Sequence, residues 1–206
     1  MSIADLPILD AATAPRTPLP LFERLLQEAQ AAGVPEPAAM TLATCTSAGL
    51  PSARLVLLRR YDERGFCFFT NYQSRKAEEL AQNPRAALVL FWAAFQRQIR
   101  IEGRVEKTSA AESDEYFFSR PRGHRLSAWA SPQSQVLADR RVLEEQMAEL
   151  ERRYQGKDVP RPENWGGYRV VPEMIEFWQG GENRLHDRLR YQRQEDGSWL
   201  IERLAP

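Results

Sequence analysis

The stretch Glu176-Phe177-Trp178-Gln179-Gly180-Gly181-Glu182-Asn183-Arg184-Leu185-His186-Asp187-Arg188 decides the fold. A Gly-Gly pair can turn a hairpin, so the residues on either side read as two antiparallel strands. Around that turn stand an indole, two guanidinium groups and one of the chain's 2 histidines. On an extended strand the period of two points Arg184, His186 and Arg188 toward one face. Three such side chains repel one another unless something anionic or electron-rich lies over them. The alternative is a solvated edge strand whose charges oppose aggregation.

Working outward, the same β-pattern fills most of the chain. Downstream, residues 184–192 and 199–204 alternate around an Asp196-Gly197 turn, and residues 168–171 and 174–179 precede the Gly-Gly pair. Upstream, strands are predicted over 40–46, 52–60 and 66–71 as a meander, then over 86–92 and 97–107. Helical spacing appears over 20–32, where Leu21, Phe22, Leu25, Leu26 and Ala29 recur between Pro20 and Gly33. Ser74 opens a short helix through residue 80 that Asn83-Pro84 stops. Ser109 and Glu112 form a capping box for a helix to about residue 118, and Ser131-Pro132 opens a long helix to residue 154. Between these two lies a basic loop, residues 119–125. Many antiparallel strands with a few interposed helices give an α+β fold, a mostly antiparallel β-barrel with peripheral helices. Residues 1–18, rich in Ala and Pro without a period, read as a mobile arm, and residues 19–206 as a single domain.

Composition narrows the function classes. The chain has 206 residues, with Lys plus Arg at 28 and Asp plus Glu at 28. Balanced charge leaves no footprint for nucleic acid or an anionic membrane, so any anion site is local. No apolar run approaches the roughly 20 residues needed to span a bilayer, and the N-terminus lacks signal-peptide features, so a cytoplasmic protein is expected. Cys45 and Cys67 show no metal-ligand spacing and read as reduced core residues.

There is no G-x-G-x-x-G after a strand and no P-loop. Phosphate recognition therefore falls to side chains: Arg54 and Arg59, Arg75-Lys76 at the start of the Ser74 helix, and the basic loop from Arg120 to Arg125. Arg75 and Lys76 are the most suggestive. Two adjacent cations in a first helical turn oppose the helix dipole, which is explained if an anion sits there. Gln133-Ser134, in the expected first turn of the next helix, offers neutral donors for the same anion.

These residues carry a resemblance. Arg54-Leu-Val-Leu-Leu-Arg59, Phe69-Thr-Asn-Tyr-Gln-Ser-Arg75-Lys76, Arg97-Gln98, Tyr116-Phe-Phe-Ser-Arg120-Pro-Arg and Gln133-Ser134 resemble, in order, the pyridoxine/pyridoxamine 5′-phosphate oxidase family, from about Leu21 to Pro206. The resemblance implies an FMN-binding split β-barrel and a homodimer with FMN at the subunit interface. It implies oxidation of a phosphorylated B6 vitamer at its 4′ carbon to pyridoxal 5′-phosphate, with O₂ reduced to H₂O₂. Carried over residue by residue, Arg54, Leu55, Val56, Leu57, Leu58, Arg59, Phe69, Thr70, Arg75, Lys76, Gln98, Gln133, Ser134, Trp178 and Arg188 would surround FMN. Substrate would meet Arg59, Tyr116, Arg120, His124, Arg184 and His186, with Arg184 and His186 assisting proton movement. The chain departs from the family pattern in three places: Arg59 stands for the usual Lys, His124 for the usual Ser, and residues 1–18 show no match to the segment that covers the substrate in many members. Two alternatives remain. One is a sister oxidase of the phenazine-biosynthesis type, and the other a flavin- or pyridoxal-phosphate-binding protein without turnover.

Overall fold

The computed structural model describes residues 9–206. Nine antiparallel strands form one sheet: β1 (Ala39–Cys45), β2 (Pro51–Leu57), β3 (Arg60–Asp62), β4 (Gly65–Asn71), β5 (Arg85–Trp92), β6 (Arg97–Lys107), β7 (Trp165–Gln179), β8 (Asp187–Arg193) and β9 (Trp199–Arg203). Their order is β2-β1-β5-β6-β7-β4-β3, with β8 paired to β7 and β9 to β8. β7 is the branch point. It follows β6 along most of its length, while its first half pairs β4 (Phe66 with Val170) and its second half pairs β8 (Phe177 with Leu189). β2 runs on into β3 through Leu58 and Arg59, whose N–H groups donate to the carbonyls of Ala38 and Cys67 at 2.9 Å each. The two ends of the strand order are thus joined covalently, and the sheet curls into a barrel that is split where β7 changes partner.

The barrel closes over an apolar interior because inward positions alternate along each strand. Leu42, Leu88, Ile101, Phe68, Val170 and Phe177 all lie in it. Helix α1 (Pro18–Ala31) plugs one end with its predicted stripe of Leu21, Phe22, Leu25, Leu26 and Ala29. Phe22 meets Tyr61 and Phe66 edge-on at 5.0 and 4.9 Å. A second apolar cluster of Phe117, Leu126, Ala130, Leu150, Val159 and Trp165 lies under helices α3 (Ala110–Ser119), α4 (Arg122–Ala130) and α5 (Arg141–Arg153).

Several expectations change. The two strands expected at 168–171 and 174–179 are one, bent by a bulge where β6 pairs Gly103 with Pro172 and Glu102 with Met174, leaving Glu173 as the extra residue. A proline without an N–H is tolerated at such a bulge. The expected basic loop 119–125 is in part α4, because Leu126 and Ala130 lie one turn apart and are buried. The long helix expected from residue 131 begins only at Arg141; Ser134, at φ 73°, breaks the segment before it. Arg184 is not on a strand, because Asn183 and Arg184 adopt φ of 53° and 62° in a 3₁₀ turn ahead of β8. Residues 1–8 of the expected mobile arm lie outside the described residues. Residues 9–17 pack on the barrel: Leu9 is buried, its carbonyl accepts from Arg203 at 2.8 Å, and that of Pro15 accepts from the Tyr191 hydroxyl at 3.0 Å.

Candidate active site

Helix α2 (Arg75–Gln82) follows β4 and brings the cationic pair to the outer wall of the barrel. Lys76 is 9 % exposed, and its ammonium reaches only neutral oxygens: Thr70 Oγ1 at 3.0 Å, Ser74 Oγ at 3.2 Å and Gln133 Oε1 at 2.9 Å. Burial, reinforced by the neighbouring Arg54, pushes the Lys76 amine down to about 8. Arg54 projects from β2 and donates to Thr44 Oγ1 at 2.5 Å, to Ser52, and to Glu79 at 3.2 Å. Glu79, one turn beyond Lys76, also accepts from Thr44, from Ser52 at 2.6 Å and from Arg75 Nε at 2.9 Å. Burial alone would raise its carboxyl; the hydrogen bonds from Ser52, Thr44, Arg75 and Arg54 instead hold it down at about 2. Three cations and one carboxylate leave two positive charges in excess. A phosphomonoester dianion matches that excess and would give the buried Lys76 the charged partner it lacks.

The same wall continues into a cavity of about 470 Å³ that runs from Lys76 and Arg54 past Leu55, Val56 and Leu57 to Arg59, Phe69, Tyr116, Arg120 and His124. At this far end Phe69 and Tyr116 stack at 4.1 Å, and Trp165 lies nearly parallel to both. The Arg59 guanidinium stands 6.0 Å over the Tyr116 ring, and that of Arg120 lies 4.7 Å over Trp165. Arg120 Nη1 is buried with no hydrogen-bond partner among the described residues. Burial lowers the Arg120 pKa, and the nearby Arg59 lowers it further. Arg59 and Arg120 thus bring two guanidiniums to the far end of the cavity, a second cationic region separated from the first by the apolar edge of β2.

Not every expected residue reaches this cavity. Leu58 points into the core, and neither Arg75 nor Ser134 is on the cavity wall. Arg122 of the basic run is committed elsewhere, donating to the carbonyls of Tyr154 and Lys157 at 2.6 and 2.9 Å. Gln98, Trp178 and Arg188 form one cross-strand row on β6, β7 and β8. Arg188 is clamped by Glu176 at 2.9 and 3.1 Å and donates to the Ala205 carbonyl at 2.9 Å. The His186 ring sits 4.8 Å from Trp178, and its Nδ1 accepts the Gly181 N–H at 3.1 Å; Arg184 is exposed. None of Gln98, Trp178 and Arg188 lines the cavity, and Arg188 lines a separate one with Arg100 and Glu176.

Four contributors escaped the sequence reading. Glu79 supplies the negative partner to Arg75 at the i,i+4 spacing that joins side chains on a helix. Thr44 and Ser52 bind the same carboxylate from adjacent strands. Trp165 precedes Gly166 and Gly167, where an added Cβ would lie 2.2 Å from the Tyr72 hydroxyl and 2.5 Å from Thr108 Oγ1. The signal was a tryptophan heading two glycines that let a strand pass close to its neighbours.

A split antiparallel barrel with a phosphate-matched cation cluster on its wall places the molecule among the FMN-binding split-barrel flavoproteins, and FMN is its cofactor. The family model described as pyridoxamine 5′-phosphate oxidase matches residues 26–154, and that described as the pyridoxine 5′-phosphate oxidase C-terminal dimerisation region matches residues 165–206. The chain belongs to this family. It is 58 % identical over 189 residues to the pyridoxine/pyridoxamine 5′-phosphate oxidase of Trichormus variabilis, spanning 92 % of this chain and 88 % of that one. It is 57 % identical over 198 residues to the protein of the same name from Ralstonia pickettii, spanning 96 % and 93 %. Among solved structures it resembles PhzG from Burkholderia lata 383 in complex with tetrahydrophenazine-1-carboxylic acid, with 37 % identity, 98 % of each chain covered and a TM-score of 0.92. An FMN-binding protein from Nostoc punctiforme shares the fold, with a TM-score of 0.74 at 16 % identity, over 94 % of this chain and 100 % of that one. None of the described helices is long and apolar enough to cross a membrane.

Proposed function

We propose that the protein oxidises pyridoxamine 5′-phosphate and pyridoxine 5′-phosphate to pyridoxal 5′-phosphate, with O₂ reduced to H₂O₂, as a homodimer with FMN at the subunit interface. The amine reaction balances as substrate plus O₂ and H₂O giving aldehyde, NH₃ and H₂O₂; the alcohol reaction needs no water. The observation that carries the reading is the pair of guanidinium side chains, Arg59 and Arg120, that line the far end of the cavity together with Tyr116 and His124. FMN, when bound, supplies the two-electron acceptor that takes the hydride from the 4′ carbon and passes the electrons to O₂.

The chain's own groups do the rest. Thr70, Lys76, Gln133 and Arg54 hold the flavin phosphate, while Leu55–Leu57 and Phe69 keep water from the wall beside it. Arg59 and Arg120 hold the substrate phosphate, with the Tyr116 hydroxyl and His124 beside them, so that the 4′ carbon is presented in one orientation. Gln98, Trp178 and Arg188 would reach the flavin from the second subunit, which fits their absence from the cavity lining of one chain. Arg184 and His186 come from the same place to steady the pyridine ring. With Nδ1 occupied by Gly181, His186 offers Nε2 to move a proton at the substrate's polar edge.

The likeness to PhzG favours a second reading, oxidation of a tricyclic carboxylic acid, since a guanidinium pair also binds a carboxylate. Purified, FMN-loaded protein mixed with pyridoxamine phosphate should release peroxide and form the aldehyde in equal amounts. Absence of both, with turnover of a reduced phenazine carboxylate instead, would replace the first reading by the second.

A further inference from the structure

Trp165 touches Phe69, Tyr116 and Arg120 at the far end of the cavity, and the reaction as described assigns it nothing. It is 6 % exposed and fixed at the start of β7, where its carbonyl accepts from Arg161 at 2.7 Å and it pairs with Asn71 of β4. Phe117 meets it edge-on at 5.2 Å, and the stacked Phe69 and Tyr116 complete a rigid aromatic floor. Arg120, the residue that ends α3, lies on that floor, 4.7 Å from the Trp165 centroid and 5.8 Å from that of Phe117. A guanidinium is weakly hydrated on its faces and strongly on its N–H edge, so a stack on indole satisfies the face and leaves the edge free. Among the described residues no carboxylate holds Arg120, in contrast to Arg54, Arg161, Arg169 and Arg188, each of which is paired with an acid. The ring beneath Arg120 takes the place of an acid without neutralising its charge.

We infer that Trp165 is a positioning residue that holds the Arg120 guanidinium over its ring at the cavity wall, and thereby sets the preference for a phosphorylated over an unphosphorylated substrate. The inference rests on the reading of this cavity as the site of a phosphorylated B6 vitamer. An acid in place of the indole would hold the arginine equally well but would cancel the charge that attracts the phosphate. An aliphatic residue would leave the side chain free to turn away along the end of α3.

The test compares pyridoxamine phosphate with pyridoxamine on FMN-loaded wild type, Trp165→Leu, Trp165→Phe, Arg120→Ala and the Arg120→Ala/Trp165→Leu double variant. Trp165→Leu should raise KM for the phosphorylated substrate about tenfold, with kcat within about twofold and KM for pyridoxamine unchanged. Trp165→Phe should recover most of the loss, and in the Arg120→Ala background Trp165→Leu should add less than about twofold, because both changes remove one interaction. A parallel rise for both substrates, or a full tenfold effect without Arg120, would overturn the inference. If the wild type itself does not prefer the phosphorylated substrate, the functional reading falls and the inference with it. If the wild type prefers it and Trp165→Leu keeps the preference, only the inference falls. Should Trp165→Leu not fold, the Arg120 side-chain N–H resonance of wild type, observed with ¹⁵N-labelled arginine, decides: a ring-current-shifted, slowly exchanging signal is expected, and an unshifted, rapidly exchanging one refutes the stack.

Discussion

Lys76 sits nearly buried among neutral oxygens, and its amine, pushed down to about 8 from 10.5, makes the cofactor-free site sensitive to pH. Between those two values the unfolded chain binds more protons than the folded one. The cost of burying the charge is therefore fully present below about pH 8 and is relieved as pH rises toward 10.5. A phosphate dianion reverses the local field and holds the proton on. FMN should thus bind with proton uptake above about pH 8, losing affinity as pH rises there, while riboflavin, which has no phosphate, should not. Flavin-fluorescence titrations from pH 7 to 10 read this directly. Lys76→Met should remove the slope and weaken FMN about 10- to 100-fold, the worth of one charge-assisted hydrogen bond; an unchanged slope in the variant would assign the titration to another group. This much of the site was legible because Arg75 and Lys76 sit where a helix dipole disfavours cations. The partner carboxylate was also in the sequence, at Glu79, but a one-turn spacing does not reveal that Thr44 and Ser52 arrive from two strands to hydrogen-bond it. Arg120 could be picked out by its type and place; that its Nη1 has no partner could not, since that depends on Trp165, some 45 residues away.

The bulge between β6 and β7 sets how the barrel splits. A Cβ on Gly103 would lie 2.0 Å from the Val171 carbonyl oxygen and 2.9 Å from its carbon, and backbone cannot step aside as a side-chain tip can. Gly103→Ala is expected to cost roughly 3 kcal/mol, seen as a lower urea midpoint at unchanged slope; a midpoint within error of wild type would show that the bulge relaxes. Most strands were readable from their alternation, since one face meets the barrel interior and the other does not. Pro172 hid the continuity of β7, because a proline ordinarily ends a central strand and only the extra residue Glu173 accommodates it. α4 was hidden for the opposite reason. Its run of Arg122, Gly123, His124 and Arg125 is polar and loop-like, and only Leu126 and Ala130 anchor it from below. Arg184 was misplaced because two successive left-handed residues without glycine are rare enough that alternation was the better guess.

At the scale of the whole molecule, the outward face of the sheet carries Leu55, which is 73 % exposed in a single chain yet borders the cavity, and a charged row in which Glu176, 3 % exposed, is held between Arg100 and Arg188. Leu55→Arg should leave the fold of one chain within about 0.5 kcal/mol of wild type, as surface changes do. If a second copy covers this face, the same change should give a monomer in sedimentation that has lost its FMN; a dimer that keeps its flavin would put the interface elsewhere. The position of β7 bears in turn on how a ribosome makes this chain. β4, apolar on both faces, leaves the exit tunnel about 95 residues before the strand that covers its free edge, an interval of roughly 5–20 s at ordinary rates of translation. Until then the growing polypeptide carries an exposed, aggregation-prone edge that nothing synthesised earlier can shield. A truncated product ending near residue 154, although it contains nearly the whole of the first family match, should accordingly accumulate with chaperones or in inclusion bodies. The segment from residue 165 onward then acts as the last stave, without which the nascent barrel stays open.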